Sequence, residues 1–386
     1  MKRTIFADNA ATTALDMNAY EAMEKYLLVE YGDASQPYYL SRTAKRALNE
    51  ARATIAKCIG ARTEEIFFTS GGTESNNWAI KCFGAPAGFK IIYTSEIEHP
   101  AVLDACEFQR INGLCDVKYL YADAEGIVSP ESLLNSMETI GANLMYSEDT
   151  AQLVSVMLVN HEIGTIEPVE NLAEIAHQHN AYFHTDASLA VGHIPINVQE
   201  MNADMLSASA HKFNGPKGVG FLYVKKGTVL SPLLHGGSQE KRMRGGNENV
   251  ADIVGMAAAI KSNCNELINN LEHVRELENY LISQLYSSGI PFFLLGGYDR
   301  MPGILSISFP LKDASKIVER MDRMDIAIST GNVCYGKKKK ISHVLEAIRL
   351  DEAMAAGTVR ISLGKYNTIE DVDTIANAFR NILSED

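Results

Sequence analysis

Two charged residues lie at the ends of apolar runs, where catalysis can explain their presence. Lys212 ends the run Ser-Ala-Ser-Ala-His-Lys, directly before a glycine-rich hairpin. Burial in a cramped apolar pocket disfavours an ammonium, so its pKa falls and the free amine can form a Schiff base with an aldehyde. Asp186 ends the run "AYFHTD", where its carboxylate needs a cationic or hydrogen-bonding partner. A protonated pyridine nitrogen is one such partner, and capping of a helix is the commoner alternative.

A glycine pair adds a phosphate-binding element. In "FFTSGGTESNNWAI" a strand pattern leads into Gly71 and Gly72, and a helix pattern opens at Thr73. Free backbone N–H groups and the positive helix end favour a phosphate there, although a simple turn explains the pattern equally well. A phosphate cradle, a strand-end Asp and a strand-end Lys are together the set that a pyridoxal phosphate enzyme requires.

The elements that must position these residues alternate between strand and helix patterns. Residues 41–60 predict an amphipathic helix with Ser41 as N-cap and Gly60 as its stop. From about residue 256, one long polar helix, short strands and a closing helix after Thr368 predict a smaller α+β domain. The alternation predicts an α/β fold with a mainly parallel sheet between helices. Its strand patterns are "EIFFTS", "KIIYTS", "CDVKYLYA", "LVSVMLVN", "AYFHTDAS" and "GVGFLYVKKG".

Composition narrows the class of protein. The formal net charge of −13 argues against a general nucleic-acid or membrane-surface role, because both need a basic face. The longest apolar runs have the length of strands and no signal segment is visible, so we expect a cytoplasmic protein that spans no membrane. The six cysteines form no C-x-x-C pair, and therefore indicate neither a disulfide framework nor a zinc or other metal site.

Ten stretches, in order and over nearly the full length, resemble the NifS/IscS-type cysteine desulfurases of the class V aminotransferase group. The resemblance implies the fold type I of pyridoxal phosphate-dependent transferases, with a seven-stranded, mainly parallel sheet in a large domain of residues 14–255. Residues 1–13 and 256–386 would form a small domain carrying a cysteine loop. The stretches are "FADNAATT", "FFTSGGTESNN", "SEIEHPAVLDAC", "VNHEIGTIEPV", "HTDAS", "SASAHKFNGPKGVG", "LHGGSQEKRMRGGNENV", "ISTGNVC", "SHVLEAI" and "VRISLGKYNT".

The same resemblance implies roles for individual residues. Lys212 would attach pyridoxal 5'-phosphate, Asp186 would pair with its ring nitrogen, and His99 would stack on the ring and move protons. Cys334 would take sulfur from L-cysteine as a persulfide, with release of alanine, and pass it to an acceptor or scaffold protein. A homodimer is implied, because the neighbouring subunit completes the cofactor pocket. The remaining implied contacts are cofactor binding by Gly72, Thr73, His161, Ser209, His211 and Asn247, and substrate binding by Asn9, Asp33 and Arg360.

Several positions depart from the family pattern. His161 replaces an asparagine and Leu189 a glutamine near the cofactor's phenolic oxygen, while Asn247 replaces a threonine that reaches the phosphate across the dimer. Tyr38 replaces a histidine. These changes leave two alternatives open: a pyridoxal phosphate-dependent transaminase or lyase of altered specificity, and a degenerate relative that binds partners.

Two features have competing interpretations. Asp33 replaces an asparagine expected near the substrate carboxylate beside Arg360, where like charges would repel, or it merely caps a turn. The run from Lys337 to Lys340 lies in the predicted cysteine loop. It can lower the pKa of the thiol or meet an acidic partner, and a solvated charge run is the alternative.

Overall fold

The computed structural model describes residues 3–84, 88–141, 150–330, 332–335 and 338–384, with backbone alone for residues 140–141, 332–335 and 338–340. Among the helices in these ranges, none combines the length and apolarity needed to cross a bilayer. The first part of the chain contains β1 (Ile5–Phe6), α1 (Met17–Leu28), α2 (Tyr39–Cys58), β2 (Ile66–Thr69), α3 (Gly72–Cys82), β3 (Lys90–Ser95), α4 (Pro100–Ile111), β4 (Cys115–Leu120), α5 (Pro130–Gly141), β5 (Ala151–Ser155), α6 (Val169–Gln178), β6 (Tyr182–Asp186), β7 (Met205–Ser209) and β8 (Gly220–Val224).

A seven-stranded sheet forms the centre of this part, in the order β2-β8-β7-β6-β5-β3-β4. The pairs β3/β4, β3/β5, β5/β6 and β6/β7 are parallel, and β8 runs antiparallel to both of its neighbours. Helices α4, α5 and α6 lie in the connections that run from β3 through β4 and β5 to β6, whereas turns and irregular structure without a helix connect β6 to β7. The predicted α/β fold with a mainly parallel sheet is confirmed.

Both faces of the sheet are buried, because adjacent strand residues point to opposite sides. Ile91 and Val154 belong to one hydrophobic cluster, with residues of α2, α6 and α7 (Val250–Asn265). Their neighbours Ile92 and Leu153 belong to a second cluster, with residues of α3 and α4. The strands therefore read as continuous apolar runs rather than as an alternation of apolar and polar residues.

The second part of the chain builds a smaller antiparallel sheet in the order β12-β15-β10-β9. The N-terminal strand β1 pairs with β11, and Ala7 packs in the same cluster as α8 and α12, so the first residues join this part. After α7 the elements are α8 (Leu267–Ser287), β9 (Phe293–Leu295), β10 (Ile304–Ser308), α9 (Ala314–Arg323), β11 (Ile326–Ala327), β12 (Ser329–Thr330), β13 (Asn332–Tyr335), β14 (Lys338–Ile341), α10 (His343–Ala347), α11 (Glu352–Ala356), β15 (Thr358–Ser362) and α12 (Ile369–Ser384).

The single long helix predicted after residue 256 is two helices. The chain breaks between α7 and α8 at Glu266, whose φ of −102° and ψ of 14° lie outside the helical region. Asparagines at 263 and 265 precede the break, and the helix propensity of asparagine is low. The Asn263 side chain bonds outside the helix, to the Phe213 carbonyl and the Lys365 ammonium. Ile260 still packs in the first hydrophobic cluster. We therefore propose that the large domain ends after α7 rather than at residue 255.

The start of α2 also differs from the prediction. The helix begins at Tyr39, and Ser41 lies inside it with its hydroxyl donating to the Gln36 carbonyl. Serine supplies the same hydroxyl to a cap or to a preceding turn, so its type alone does not mark the first residue of a helix. The predicted stop is close, because α2 ends at Cys58 and Gly60 follows with a φ of 70°.

A buried ion pair ties α2 to the sheet edge. Arg52 donates to Glu240 through both terminal nitrogens, at 2.8 and 2.5 Å, and the same carboxylate accepts from the Phe68 amide at 2.9 Å. The Arg52 side chain is 13% exposed and the Glu240 side chain 2%. Removing one charge would therefore leave the other buried without a counter-ion.

We expect Glu240→Gln to destabilise the fold by about 3 kcal/mol or more, because Arg52 would keep a buried charge without its counter-ion. Urea unfolding followed by fluorescence measures the shift in midpoint. The matched control is Glu319→Gln, which breaks the exposed pair between Glu319 and Arg323 and should change stability by less than about 1 kcal/mol. Equal shifts for the two variants would contradict the prediction.

Candidate active site

The predicted site residues meet at the carboxyl ends of the parallel strands, where open α/β sheets bind ligands. Lys212 ends a short 3-10 turn directly after β7. Its ammonium donates to the Ala10 and Ala11 carbonyls at 2.5 and 2.9 Å, so the segment after β1 covers it. Burial, with a further contribution from the Arg360 guanidinium, lowers the pKa of Lys212 to about 8. Roughly a tenth of this lysine is therefore the free amine at pH 7, far more than for a lysine with the ordinary pKa.

Asp186 lies at the end of β6, on the strand next to β7. Its Oδ2 accepts from the Asn76 side chain at 2.6 Å, and its Oδ1 accepts from the Ser188 amide at 2.9 Å. The residue is only 8% exposed. These two bonds fix the carboxylate and leave lone pairs on both oxygens for a cationic ring N–H.

The amino end of α3 faces the ends of β6 and β7. Gly71 has a φ of 147°, a conformation that other residues rarely adopt. A Cβ on Gly72 would lie 2.7 Å from the Ser188 hydroxyl oxygen and 3.5 Å from the Ser209 Cβ, so a larger residue would displace the Ser188 hydroxyl from this position. The Ser188 hydroxyl is buried and has no hydrogen-bond partner within the described part of the chain. Helix N–H groups and an unused hydroxyl thus converge, as an anion site requires.

Three histidine rings follow one another across the site. His99 caps α4, its Nδ1 accepting from the Ala101 amide at 3.0 Å. The ring of His161 lies 5.4 Å from that of His99 and 6.3 Å from that of His343, between ring centres. Desolvation lowers the pKa of both His99 and His161, although the His99 side chain stays open to solvent on one side. The His161 Nδ1 is buried without a partner among the described residues.

His211 lies beside Lys212 and contacts the N-terminal segment. Its Nδ1 is 3.1 Å from the Thr12 hydroxyl. Desolvation, with the Lys212 charge as a second cause, lowers the pKa of His211 to about 4, so its ring is neutral at pH 7. A neutral ring can donate one hydrogen bond to a phosphate without adding charge.

Arg360 on β15 brings the small sheet into the site. One terminal nitrogen donates to the Asp8 carboxylate at 2.7 Å, and the other donates to the His161 carbonyl at 2.8 Å. Its Nε–H is buried and has no partner in the described ranges. The guanidinium is 12% exposed and held in one orientation, which suits it to recognition of a carboxylate.

The segment that carries Cys334 is fixed at both ends near these residues. On one side, Ser329 of β12 pairs with Arg360 of β15. On the other, the Ser342 hydroxyl donates to Glu162 at 2.5 Å and the His343 ring contacts the Glu98 carbonyl at 2.8 Å. Between them β13 and β14 form an antiparallel hairpin with Cys334 opposite Lys339. The Cys334 side chain and Lys337 lie outside the described part of the structure.

Asp33, Asn247 and Asn9 hydrogen-bond to parts of the chain other than Lys212. Asp33 accepts from the Ser35 amide and hydroxyl at 2.8 and 2.6 Å, and these bonds lower its carboxyl pKa. Its second oxygen is 3.4 Å from the Asn247 amide. Asn9 donates to the Ser362 carbonyl at 2.8 Å and so connects the N-terminal segment to β15. The contacts of Asp33 are those of a residue that caps a turn, which was the alternative interpretation. The substrate-binding roles of Asp33 and Asn9 stay predictions. Thr73, Tyr38 and Asn247 are exposed, and Leu189 is buried.

The sequence did not predict three residues that contact the predicted set. Asn76 donates a hydrogen bond to Asp186, Asp8 accepts one from Arg360, and Ser188 lies next to Gly72. Asn76 follows Gly72 by four residues, one helical turn on, and this spacing was the available signal. Asp8 and Arg360 are 352 residues apart, and no local pattern connects them.

Comparison with known proteins settles the family. Residues 5–375 match the sequence pattern of the family described as Aminotransferase class-V. The chain belongs to this family. The cysteine desulfurase IscS of Dictyoglomus turgidum is 42% identical to this class V family member, over 100% of this chain and 96% of that protein. The predicted resemblance is confirmed.

Solved structures agree with this assignment. A NifS-like protein is 36% identical and superposes with a TM-score of 0.90, over 99% of this chain and 100% of that chain. SspA in complex with cysteine is 32% identical with a TM-score of 0.81, over 95% of this chain and 100% of that chain. Enzymes of the class V aminotransferase family use pyridoxal phosphate in general.

Proposed function

We propose that this class V family member is a pyridoxal phosphate-dependent cysteine desulfurase, which takes sulfur from L-cysteine and leaves alanine. The observation that carries the proposal is the 42% identity to an IscS cysteine desulfurase over the whole chain. Lys212, Asp186 and Arg360 support it, because they supply a reactive amine, a carboxylate for a ring nitrogen and a clamp for a substrate carboxylate.

The residues present fit the cofactor. Ser188 offers an unused hydroxyl beside the α3 amino end, where Gly72, Thr73, Ser209 and His211 would hold a phosphate. Asp186 would bind the ring nitrogen, Lys212 would bind the aldehyde carbon, and the unpartnered His161 Nδ1 would face the ring. When bound, pyridoxal phosphate supplies the electron sink for chemistry at the substrate's α-carbon.

Three side chains would carry out proton transfer, substrate binding and sulfur acceptance. The His99 Nδ1 accepts the Ala101 amide hydrogen, so the neutral ring carries its proton on Nε2, which is the atom available for proton transfer. Arg360 would bind the substrate carboxylate through its free N–H groups, while Asp8 keeps the guanidinium in place. The Cys334 thiolate would accept the sulfur, because only a soft nucleophile takes it at neutral pH.

Product analysis tests the proposal. The protein is loaded with pyridoxal phosphate and incubated with L-cysteine, and released alanine is measured against time, with L-alanine, L-serine and L-aspartate as parallel substrates. We expect alanine from cysteine and one equivalent of sulfur bound to the enzyme. Keto acids from other substrates would instead indicate a transaminase or lyase of altered specificity. A protein without visible cofactor absorbance would indicate a partner-binding relative.

A homodimer follows from the same proposal. Asn247 is exposed beside Asp33 in this chain, at the position that would reach the phosphate of the partner subunit. We expect Asn247→Ala to weaken cofactor binding by roughly tenfold, which corresponds to loss of one hydrogen bond to a charged group. Equilibrium dialysis with pyridoxal phosphate measures the affinity, and sedimentation measures the mass. A monomer that retains the cofactor fully would contradict the prediction.

The lowered pKa of Lys212 predicts how loading depends on pH. The free amine is the form that attacks an aldehyde, and its fraction rises as pH passes upward through about 8. We expect the rate at which the cofactor-free protein gains visible absorbance to rise with pH and to be half-maximal near 8.

The variant Arg360→Gln should move this midpoint to higher pH, because it removes a charge that lowers the pKa of Lys212. Stopped-flow mixing with pyridoxal phosphate between about pH 6 and pH 10 measures both proteins. The matched control Arg323→Gln changes an exposed arginine on α9 and should leave the midpoint in place. A native midpoint near that of free lysine would refute the expectation.

A further inference from the structure

Two cysteines form a thiol pair away from the candidate active site. Cys58 is the last residue of α2, and Cys264 lies in the last turn of α7, which packs against α2. Each thiol is the largest influence on the pKa of the other, so the two side chains are neighbours. Both side chains are half-buried rather than enclosed. The pair therefore joins the ends of two neighbouring helices at a surface that small molecules can reach.

A cavity of about 580 Å³ opens onto both thiols. Its walls include Ile59 and Ile196, and two exposed lysines, Lys57 and Lys261, stand at its edge. The cavity has room for a small reagent, and the lysines favour an anionic one.

The charges around the pair distinguish its two members. The interaction between the two thiols lowers the pKa of Cys264 and raises that of Cys58. The carbonyl ends of both helices disfavour a thiolate, whereas the charges of Lys57 and Lys261 oppose this effect. Cys264 is therefore the attacking thiol of the pair, and Cys58 holds its proton until later.

We propose that Cys58 and Cys264 are a thiol–disulfide exchange site, at which anionic low-molecular-weight disulfides form a covalent link between α2 and α7. The Cys264 thiolate attacks one sulfur of the reagent, breaks its S–S bond and releases one thiolate. Cys58 then loses its proton and attacks the Cys264 sulfur, which releases the second thiolate. The two cysteines are oxidised by two electrons, and the reagent is reduced to two thiols.

Peptide mapping of the cofactor-loaded enzyme tests this proposal. The reduced protein, in a Cys334→Ser background, is treated with oxidised glutathione, blocked with an alkylating agent and digested without reductant. We expect one linked peptide pair containing Cys58 and Cys264, the loss of two free thiols, and recovery of both with dithiothreitol. No link between these cysteines, or a link that joins others instead, would overturn the proposal while Cys58 and Cys264 are both still present.

Two substitutions test the order of the steps. In the Cys58→Ser variant the reaction should stop at a stable mixed disulfide between Cys264 and glutathione, because the thiol that carries out the second step is absent. Cys264→Ser should react with glutathione at least about tenfold more slowly, because the remaining Cys58 thiol is the less readily deprotonated of the two. The control Cys82→Ser changes another half-buried cysteine and should leave formation of the link at the parental rate. Equal reactivity of the first two variants would overturn the assignment of Cys264 as the attacking thiol.

Discussion

Lys212→Ala is expected to reduce alanine formation from L-cysteine by a factor on the order of 10⁴ or more. The residue follows a strand end, and the charges of Arg360 and Asp186 both act on its ammonium. It is the amine that we place at the cofactor's aldehyde. Alanine can neither attach the cofactor nor transfer a proton at that position. The visible absorbance of the loaded protein should fall with the activity, because the covalent attachment is lost.

The control for this variant is Lys217→Ala, which removes an exposed lysine five residues away. It should retain both absorbance and activity. Thermal unfolding of both variants shows whether each is folded. A Lys212→Ala protein that is folded, keeps the native spectrum and still turns over cysteine would exclude Lys212 from its proposed role.

Cys334→Ser is expected to eliminate the enzyme-bound sulfur while leaving the cofactor absorbance intact. A hydroxyl is not deprotonated near neutral pH and is a hard nucleophile, so it cannot take the sulfur that a thiolate accepts. Cyanolysis after incubation with L-cysteine measures bound sulfur, and we expect none above background. Cysteine should still change the visible spectrum, because Arg360 and Lys212 are unaltered.

Cys82→Ser provides the comparison, since it removes a half-buried thiol that we assign to no step. It should carry the same amount of bound sulfur as the parent protein. Release of sulfide by Cys334→Ser at the parental rate, without added thiol, would show that another group accepts the sulfur.

Local patterns predicted the residues at strand ends and missed those that tertiary packing brings in. Lys212 and Asp186 end apolar runs, and parallel strands place their carboxyl ends at one edge, so their proximity follows from strand order. Asp8 orients Arg360 from 352 residues away, and only the folded chain reveals the pair. Asn76 was predictable from its helical spacing to Gly72 once the glycine had a proposed role.

The predicted helix boundaries were wrong where a polar side chain can hydrogen-bond in more than one way. Ser41 lies inside α2 with its hydroxyl bonded to Gln36, although its type suits an N-cap. The break at Glu266 follows an asparagine-rich turn within a pattern whose apolar spacing continues on both sides. Periodicity identifies the faces of such helices and does not reveal a single residue that leaves the helical conformation.

The contact between the two ends of the chain determines when the site can exist during synthesis. Asn9 and Ala10 bond to Ser362, and Asp8 bonds to Arg360, so both partners must have left the ribosome before the arginine is held in place. Translation adds roughly 5–20 residues each second, and the strands of the large sheet emerge well before β15. A nascent chain can therefore assemble the lysine end of the site early. Its carboxylate clamp forms only after β15 has emerged, so a nascent chain that lacks β15 lacks the arginine side of the site.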